Sequence, residues 1–173
     1  IASTSTTVKS DGAKKLNMYN QMAQILSGYD KSNQLQRFDQ DGDLNPTSNK
    51  HDEVFFIAFS RILTKDSLQK GSFNIVLGTG DGTNQTSRFS TTSSITDSGA
   101  ENDYYVNSPA GEYAVLKDES SNKVGLIYYD AGIAVLEKSV FGNPSNFDGT
   151  NTIDHVLTSG SIDDFSNEIR RRT

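Results

Sequence analysis

Two short apolar runs separated by a glycine-ended turn constrain the fold of this chain more than any other feature. The runs cover residues 124–129 and 133–136, with Asp130-Ala131-Gly132 between them. A short connection ending in glycine is typical of a hairpin that closes through a type I turn and a left-handed glycine. Because both runs are apolar at consecutive positions, both faces should be covered. The pattern predicts a central antiparallel hairpin with a helix or a second sheet on each side.

An amphipathic helix is predicted near the start of the chain. Apolar side chains recur there at helical spacing, and Gly28 suits the left-handed position after a helix end. Asp11 is a candidate cap for the first turn. The apolar stripe consists of Met18, Tyr19, Met22, Ala23, Ile25 and Leu26. We expect this stripe to pack on the sheet, and a partner-binding face is the alternative.

Further strands and polar loops follow this helix. Strands are predicted at 54–59, 73–77, 86–90, 104–106 and 112–116, in addition to the two arms of the hairpin. Polar loops are predicted at 29–53, 91–103 and 142–160. The first loop is much longer than a usual connection, so we expect it to be functional or mobile. The second is low in apolar residues and acidic, and we expect a mobile surface loop.

The order of elements defines the predicted class. Ser161 and Asp164 resemble a capping box, and they predict a short C-terminal helix with Ile162, Phe165 and Ile169 on one face. We predict a polar arm at 1–10 and a single α+β domain at 11–173. Its strands form an antiparallel sheet or a small β-sandwich, flanked by the N-terminal amphipathic helix and the short C-terminal helix. We expect the chain to be a fragment of a longer one.

Composition excludes several classes of function. The chain has no cysteine, which excludes disulfides, thiolate metal sites and a cysteine nucleophile. Its net charge is −6, whereas a nucleic-acid groove needs a basic patch. The basic cluster at 170–172 fits the C-terminus of a helix, with phosphate binding as the alternative. No apolar run approaches the roughly 18 residues of a membrane span. We predict neither nucleic-acid nor membrane binding.

The best metal candidate is the run Asp39, Asp41 and Asp43, whose acids alternate like the first ligands of a calcium loop. Gly42 precedes the third acid instead of following it, and Lys50 occupies the position of the bidentate glutamate. We therefore interpret the run as an Asp-Gly turn and predict no metal site, while calcium binding by this loop stays open.

Other candidate motifs favour structural roles. The glycine-rich run 78–82 lacks the lysine of a phosphate-binding loop and favours a hairpin turn. His51 and His155 each lie beside an aspartate, but sequence adjacency does not make a triad, and we expect solvated loop histidines. In the tyrosine pairs 104–105 and 128–129 we expect one core and one rim residue each, with sugar stacking as the alternative. We predict no catalytic or cofactor-binding residue and no small-molecule substrate.

Three stretches together resemble a known group of proteins. They are residues 16–30, residues 56–61 with 65–66 and 70–73, and residues 125–136, supported by 161–165 with Ile169 and Arg170. In this order they are similar to large virion structural proteins of T4-like tailed phages, especially those that infect cyanobacteria. The resemblance implies a non-catalytic assembly protein of the virion, whose partners are other virion proteins and copies of itself.

These observations lead to one leading hypothesis and two alternatives. The leading hypothesis is a phage structural module of the tail or baseplate. The first alternative is a carbohydrate- or receptor-binding β module, because acidic loops and tyrosines permit it. The second is a hydrolase such as a tail-associated lysozyme, for which the sequence supplies only carboxylates that any acidic chain has.

Overall fold

The computed structural model describes residues 10–42, 49–59, 67–79, 91–138 and Val140. Within these residues lie helix α1 (Ser10–Leu26) and nine strands. The strands are β1 (Phe38–Asp39), β2 (Lys50–His51), β3 (Val54–Ala58), β4 (Asn74–Thr79), β5 (Thr91–Thr96), β6 (Tyr105–Ser108), β7 (Gly111–Lys117), β8 (Lys123–Tyr128) and β9 (Ile133–Glu137). The predicted C-terminal helix, the strand at 86–90, the loop at 142–160 and most of the polar arm lie outside the described residues.

Seven of the strands form one curled antiparallel sheet in the order β3-β9-β8-β7-β5-β4, and β6 pairs with β7. The remaining two strands, β1 and β2, pair with each other. Every pairing between named strands is antiparallel. The fold is therefore a β-rich α+β arrangement around an antiparallel sheet.

The predicted hairpin is β8–β9 and lies in the middle of the sheet. Tyr128 pairs with Ile133, and Gly125 pairs with Leu136. Gly132 has a φ of +64° and donates its N–H to the carbonyl of Tyr128. A side chain at Gly125 would collide with the carbonyl oxygen of Val135, so this apolar strand needs a glycine there. The left-handed glycine and the central position were both predicted correctly.

Both faces of this hairpin carry buried apolar side chains, because its neighbouring residues alternate between two core clusters. One cluster contains Ile127 and Leu136 with Leu77 and Ile95 from β4 and β5. The other contains Leu126 and Val135 and packs against α1, through Tyr19, Ala23 and Leu26. The helix thus covers one face of the sheet.

The apolar residues of helix α1 lie in two different environments. Tyr19, Ala23 and Leu26 are buried against the sheet. Met18 and Ile25, which the predicted stripe included, are 52% and 60% exposed. The broad apolar stripe is therefore split, because the curled sheet contacts only one side of the helix. The helix begins at Ser10, so Asp11 lies inside its first turn and not at its cap.

The end of α1 docks onto the β6–β7 turn. Gly28 has a φ of +77°, as predicted, and its N–H donates to the carbonyl of Ala23 over 2.9 Å. A Cβ atom on Gly28 would lie 3.1 Å from Pro109. The hydroxyl of Ser108 donates to the carbonyl of Leu26, one of the otherwise unpaired carbonyls at the helix end.

The prediction of a mobile loop at 91–103 was wrong at its start. Residues 91–96 form β5, which pairs with β4 over six residue pairs, from Asn74↔Thr96 to Thr79↔Thr91. Threonine is β-branched and suits a strand with one solvated face, and Ile95 supplies the buried side chain of this strand. The predicted turn at 78–82 is likewise wrong at its start, because Gly78 and Thr79 belong to β4, and residues 80–82 lie outside the described residues.

Candidate functional site

Three tyrosines form a ladder across neighbouring strands of the face that α1 covers. Tyr105 on β6 lies opposite Tyr113 on β7, which lies opposite Tyr128 on β8. Their rings stack with centroids 5.3 Å and 5.2 Å apart. Directly opposed aromatic side chains stabilise strand pairing. Tyr113 and Tyr128 are buried, so the ladder belongs to the core on this side of the sheet.

The hydroxyl groups of this face hold the long segment that follows α1. Tyr105 donates to the carbonyl of Asp41, and the hydroxyl oxygen of Tyr113 lies 2.9 Å from the carbonyl of Gly42. Tyr19 donates to the carbonyl of His51 over 2.8 Å. Burial raises the pKa of Tyr19 to about 12, so this donor keeps its proton in ordinary buffers. The described parts of the predicted 29–53 loop are therefore anchored to the core.

Asp39, the first acid of the calcium candidate, forms a buried ion pair with a lysine. Asp39 and Lys50 lie opposite each other on β1 and β2, and the Nζ atom of Lys50 is 3.1 Å from Oδ1 of Asp39. Their side chains are buried. Asp43 lies outside the described residues, within which no cluster of three acidic, histidine or cysteine side chains could hold a metal. Calcium binding stays a hypothesis, tested by comparing the melting temperature in chelator and in millimolar calcium.

Gly42 supports the interpretation of an Asp-Gly turn. Its φ is +84°, a conformation that side chains rarely adopt. A Cβ atom on Gly42 would lie 2.6 Å from the ring of Tyr105. The glycine is thus required twice, by its backbone conformation and by its close approach to the tyrosine ladder.

His51 is buried, which contradicts the expectation of a solvated loop histidine. Its side chain is 1% exposed, and Nδ1 lies 3.6 Å from a carboxylate oxygen of Glu137. Burial lowers the pKa of this imidazole below its ordinary value of 6.5, and Glu137 opposes that shift. His51 pairs with Phe38 of β1 and contacts Tyr19 of α1 and Glu137 of β9, which are all distant in the chain. Its polar neighbours in sequence conceal this long-range effect. His155 lies outside the described residues.

The two tyrosine pairs differ. Tyr104 is exposed and Tyr105 is half-buried, in line with one rim and one inner residue. Tyr128 and Tyr129 are both buried, because both faces of the central hairpin are covered. The expectation of a rim residue at 128–129 was wrong, and neither ring of that pair is available for stacking on a sugar.

The surface around α1 differs chemically from the rest of this acidic chain. Residues 16–29 contain no charged side chain, although the chain carries a net charge of −6. Four amide residues, Asn17, Asn20, Gln21 and Gln24, recur at i, i+3, i+4 and i+7 and share one side of the helix. The exposed apolar residues Met18 and Ile25, with half-buried Met22, lie beside them and are called the α1 apolar stripe below.

The amide residues line a groove of about 480 Å³ between α1 and the turn that follows it. Its lining consists of Asn17, Asn20, Gln21, Gln24, Tyr29, Gln34 and Leu35. We call this the amide groove. The groove was not predicted from the sequence, because amides at helical spacing are also typical of an ordinary solvated helix face, and the turn that forms the other wall has no signal in the helix itself.

Comparisons with protein-family models, curated proteins and solved structures gave no match to this chain. The described part of the chain contains no helix of the length and apolarity that crossing a membrane requires.

Proposed function

We propose that this chain is a non-catalytic structural module of a tailed-phage virion, in the tail or baseplate, that binds other virion proteins and copies of itself. The observation that carries the proposal is the sequence resemblance. The described parts of its three stretches fall on α1 with the following turn, on β3 with the residues just before β4, and on the β8–β9 hairpin. The proposal also assigns inter-subunit contacts to the N-terminal arm and to the predicted short C-terminal helix with its arginine cluster at 170–172.

The α1 apolar stripe is the contact surface that we assign to this function. Met18 and Ile25 are more than half exposed, and methionine is enriched in protein interfaces. Copies of an acidic chain repel one another, so contact is easiest where no charge is present. The stripe lies within the uncharged stretch 16–29, which permits close approach of a second copy or of another virion protein.

The first test places the protein in the particle. Intact particles of the phage that encodes this chain are purified and separated into head, tail and baseplate fractions. Peptide mass spectrometry is then expected to find this chain in the tail or baseplate fraction. Its absence from purified particles, with recovery from the soluble lysate, would contradict the proposal.

The second test addresses the contact surface, using sedimentation velocity over a range of protein concentrations. We expect the chain to self-associate and Ile25→Asp to reduce that association. Val106→Asp is the matched control, because Val106 is also exposed, at 68%, and gains the same charge on β6. Deletion of α1 is unsuitable, since Tyr19, Ala23 and Leu26 belong to the core. If Ile25→Asp and Val106→Asp self-associate equally, the α1 apolar stripe is not the contact surface.

A further inference from the structure

The amide groove is built on a fixed frame. One wall is α1, whose inner side is buried against the sheet. The other wall is the turn at 29–35, closed by an isolated β-bridge between Tyr29 and Leu35. The carboxylate of Asp30 accepts the N–H groups of Ser32 and Gln34 at 2.8 Å each. Such side-chain to backbone bonds stabilise a tight turn. A pre-formed wall lowers the entropic cost of binding a ligand.

The lining of the groove has a definite chemistry. Five of its seven side chains are amides, each of which offers both donors and an acceptor without net charge. The Tyr29 ring, 50% exposed, adds an apolar face with a polar tip at one side. The side-chain oxygen of Asn20 is buried and accepts no hydrogen bond from the described residues. This amide therefore has an acceptor that the described residues leave unused.

We infer that the amide groove is a binding site for a neutral glycan. A sugar presents hydroxyl groups that both donate and accept, which amides match, and a C–H face that packs on an aromatic ring. The groove volume of about 480 Å³ lies within the usual range for small-ligand sites. An anionic ligand would need a cationic partner, and no lysine or arginine lines the groove.

An extended peptide fits this lining less well. Peptide recognition in a groove depends on pockets for alternate side chains or on a free strand edge. Leu35 is the single aliphatic side chain of the lining, and the groove is bounded by a helix and a closed turn. The residues that line the proposed glycan site differ from those of the α1 apolar stripe. The inference therefore does not depend on the proposed structural function.

The test is a titration of the isotope-labelled chain with maltotriose, cellotriose and chitotriose, followed by NMR. Side-chain amide signals of Asn17, Asn20, Gln21, Gln24 and Gln34 are observed directly in such spectra. We expect at least one of these saccharides to shift them. Gln24→Ala and Tyr29→Ala should weaken binding about five- to tenfold. The matched control is Gln69→Ala, an exposed glutamine outside the groove, which should leave affinity unchanged.

Several outcomes would overturn the inference. They are the absence of shifts with all three saccharides, shifts confined to other residues, and equal affinity of Gln24→Ala and Gln69→Ala. A short uncharged peptide that shifts the groove signals when the saccharides do not would assign the groove to peptide binding instead. Ile25→Asp should retain saccharide binding. The glycan site and the proposed contact surface on the α1 apolar stripe can therefore be tested independently.

Discussion

The hydroxyl of Tyr129 donates a hydrogen bond of 2.8 Å to the buried carboxylate of Asp97. The same carboxylate accepts the backbone N–H groups of Gly71 and Phe73, at 2.7 Å and 2.9 Å. One side chain therefore joins the end of β5, the segment before β4 and the central hairpin. A carboxylate that is 1% exposed depends on these donors, because a buried charge without partners is costly.

Replacement of Tyr129 by phenylalanine should destabilise the fold. Tyr129→Phe keeps the ring but removes a donor from Asp97, and we expect a loss of about 1–3 kcal/mol in the free energy of unfolding. Urea denaturation measures it. Tyr29→Phe is the control, since Tyr29 is half exposed and should change stability little. Equal effects of the two substitutions would show that the Asp97 contact contributes nothing.

Gly42→Ala should cost more than Gly99→Ala. Both glycines have a positive φ, +84° and +91°. A Cβ atom on Gly42 meets the Tyr105 ring, whereas one on Gly99 meets nothing within 4 Å. The difference isolates the collision from backbone strain, which alone costs on the order of 1–3 kcal/mol. Thermal unfolding of both variants is the measurement, and identical losses would contradict close packing of Gly42 on the tyrosine ladder.

Stability should decrease in mild acid because of His51. Its folded-state pKa is lowered by burial, so the unfolded chain binds the proton more tightly. The contribution of neutral His51 to the free energy of unfolding is fully present above the unfolded-state pKa of about 6.5. This contribution is lost as the pH falls below that value. The free energy of unfolding of His51→Gln should therefore vary less with pH between neutral and mildly acidic buffers. His155→Gln is the control, and a wild-type pH profile for His51→Gln would refute the assignment.

Lys50→Met should be strongly destabilising. It removes the Lys50 cation from the buried carboxylate of Asp39, and breaking a buried pair costs about 3–5 kcal/mol. The exposed pair of Lys138 and Glu53 is the comparison, and Lys138→Met should cost less than about 1 kcal/mol. The double variant Asp39→Leu with Lys50→Met should recover part of the loss in denaturant titrations. Failure of the double variant to recover any stability would show that packing, not charge, is lost.

Sequence reasoning succeeded where the signal is local. The β8–β9 hairpin follows from consecutive apolar residues and Gly132, and the left-handed end of α1 follows from Gly28. The strand at 91–96 was missed because its threonines carry no apolar alternation, and its existence depends on pairing with distant β4. Burial of His51 and its contact with Glu137 depend on residues far apart in the chain. The amide groove needs both α1 and the turn around Tyr29 and Leu35, and only the helical half is visible in sequence.

The contacts that hold the segment after α1 have a consequence for how its surface can vary. Tyr105, Tyr113 and Tyr19 contact the backbone carbonyls of Asp41, Gly42 and His51, not their side chains. A carbonyl is the same whichever residue carries it. These three contacts therefore position the described ends of the segment through its backbone, and any requirement for a particular residue there comes from other features, such as the positive φ of Gly42 and the burial of His51.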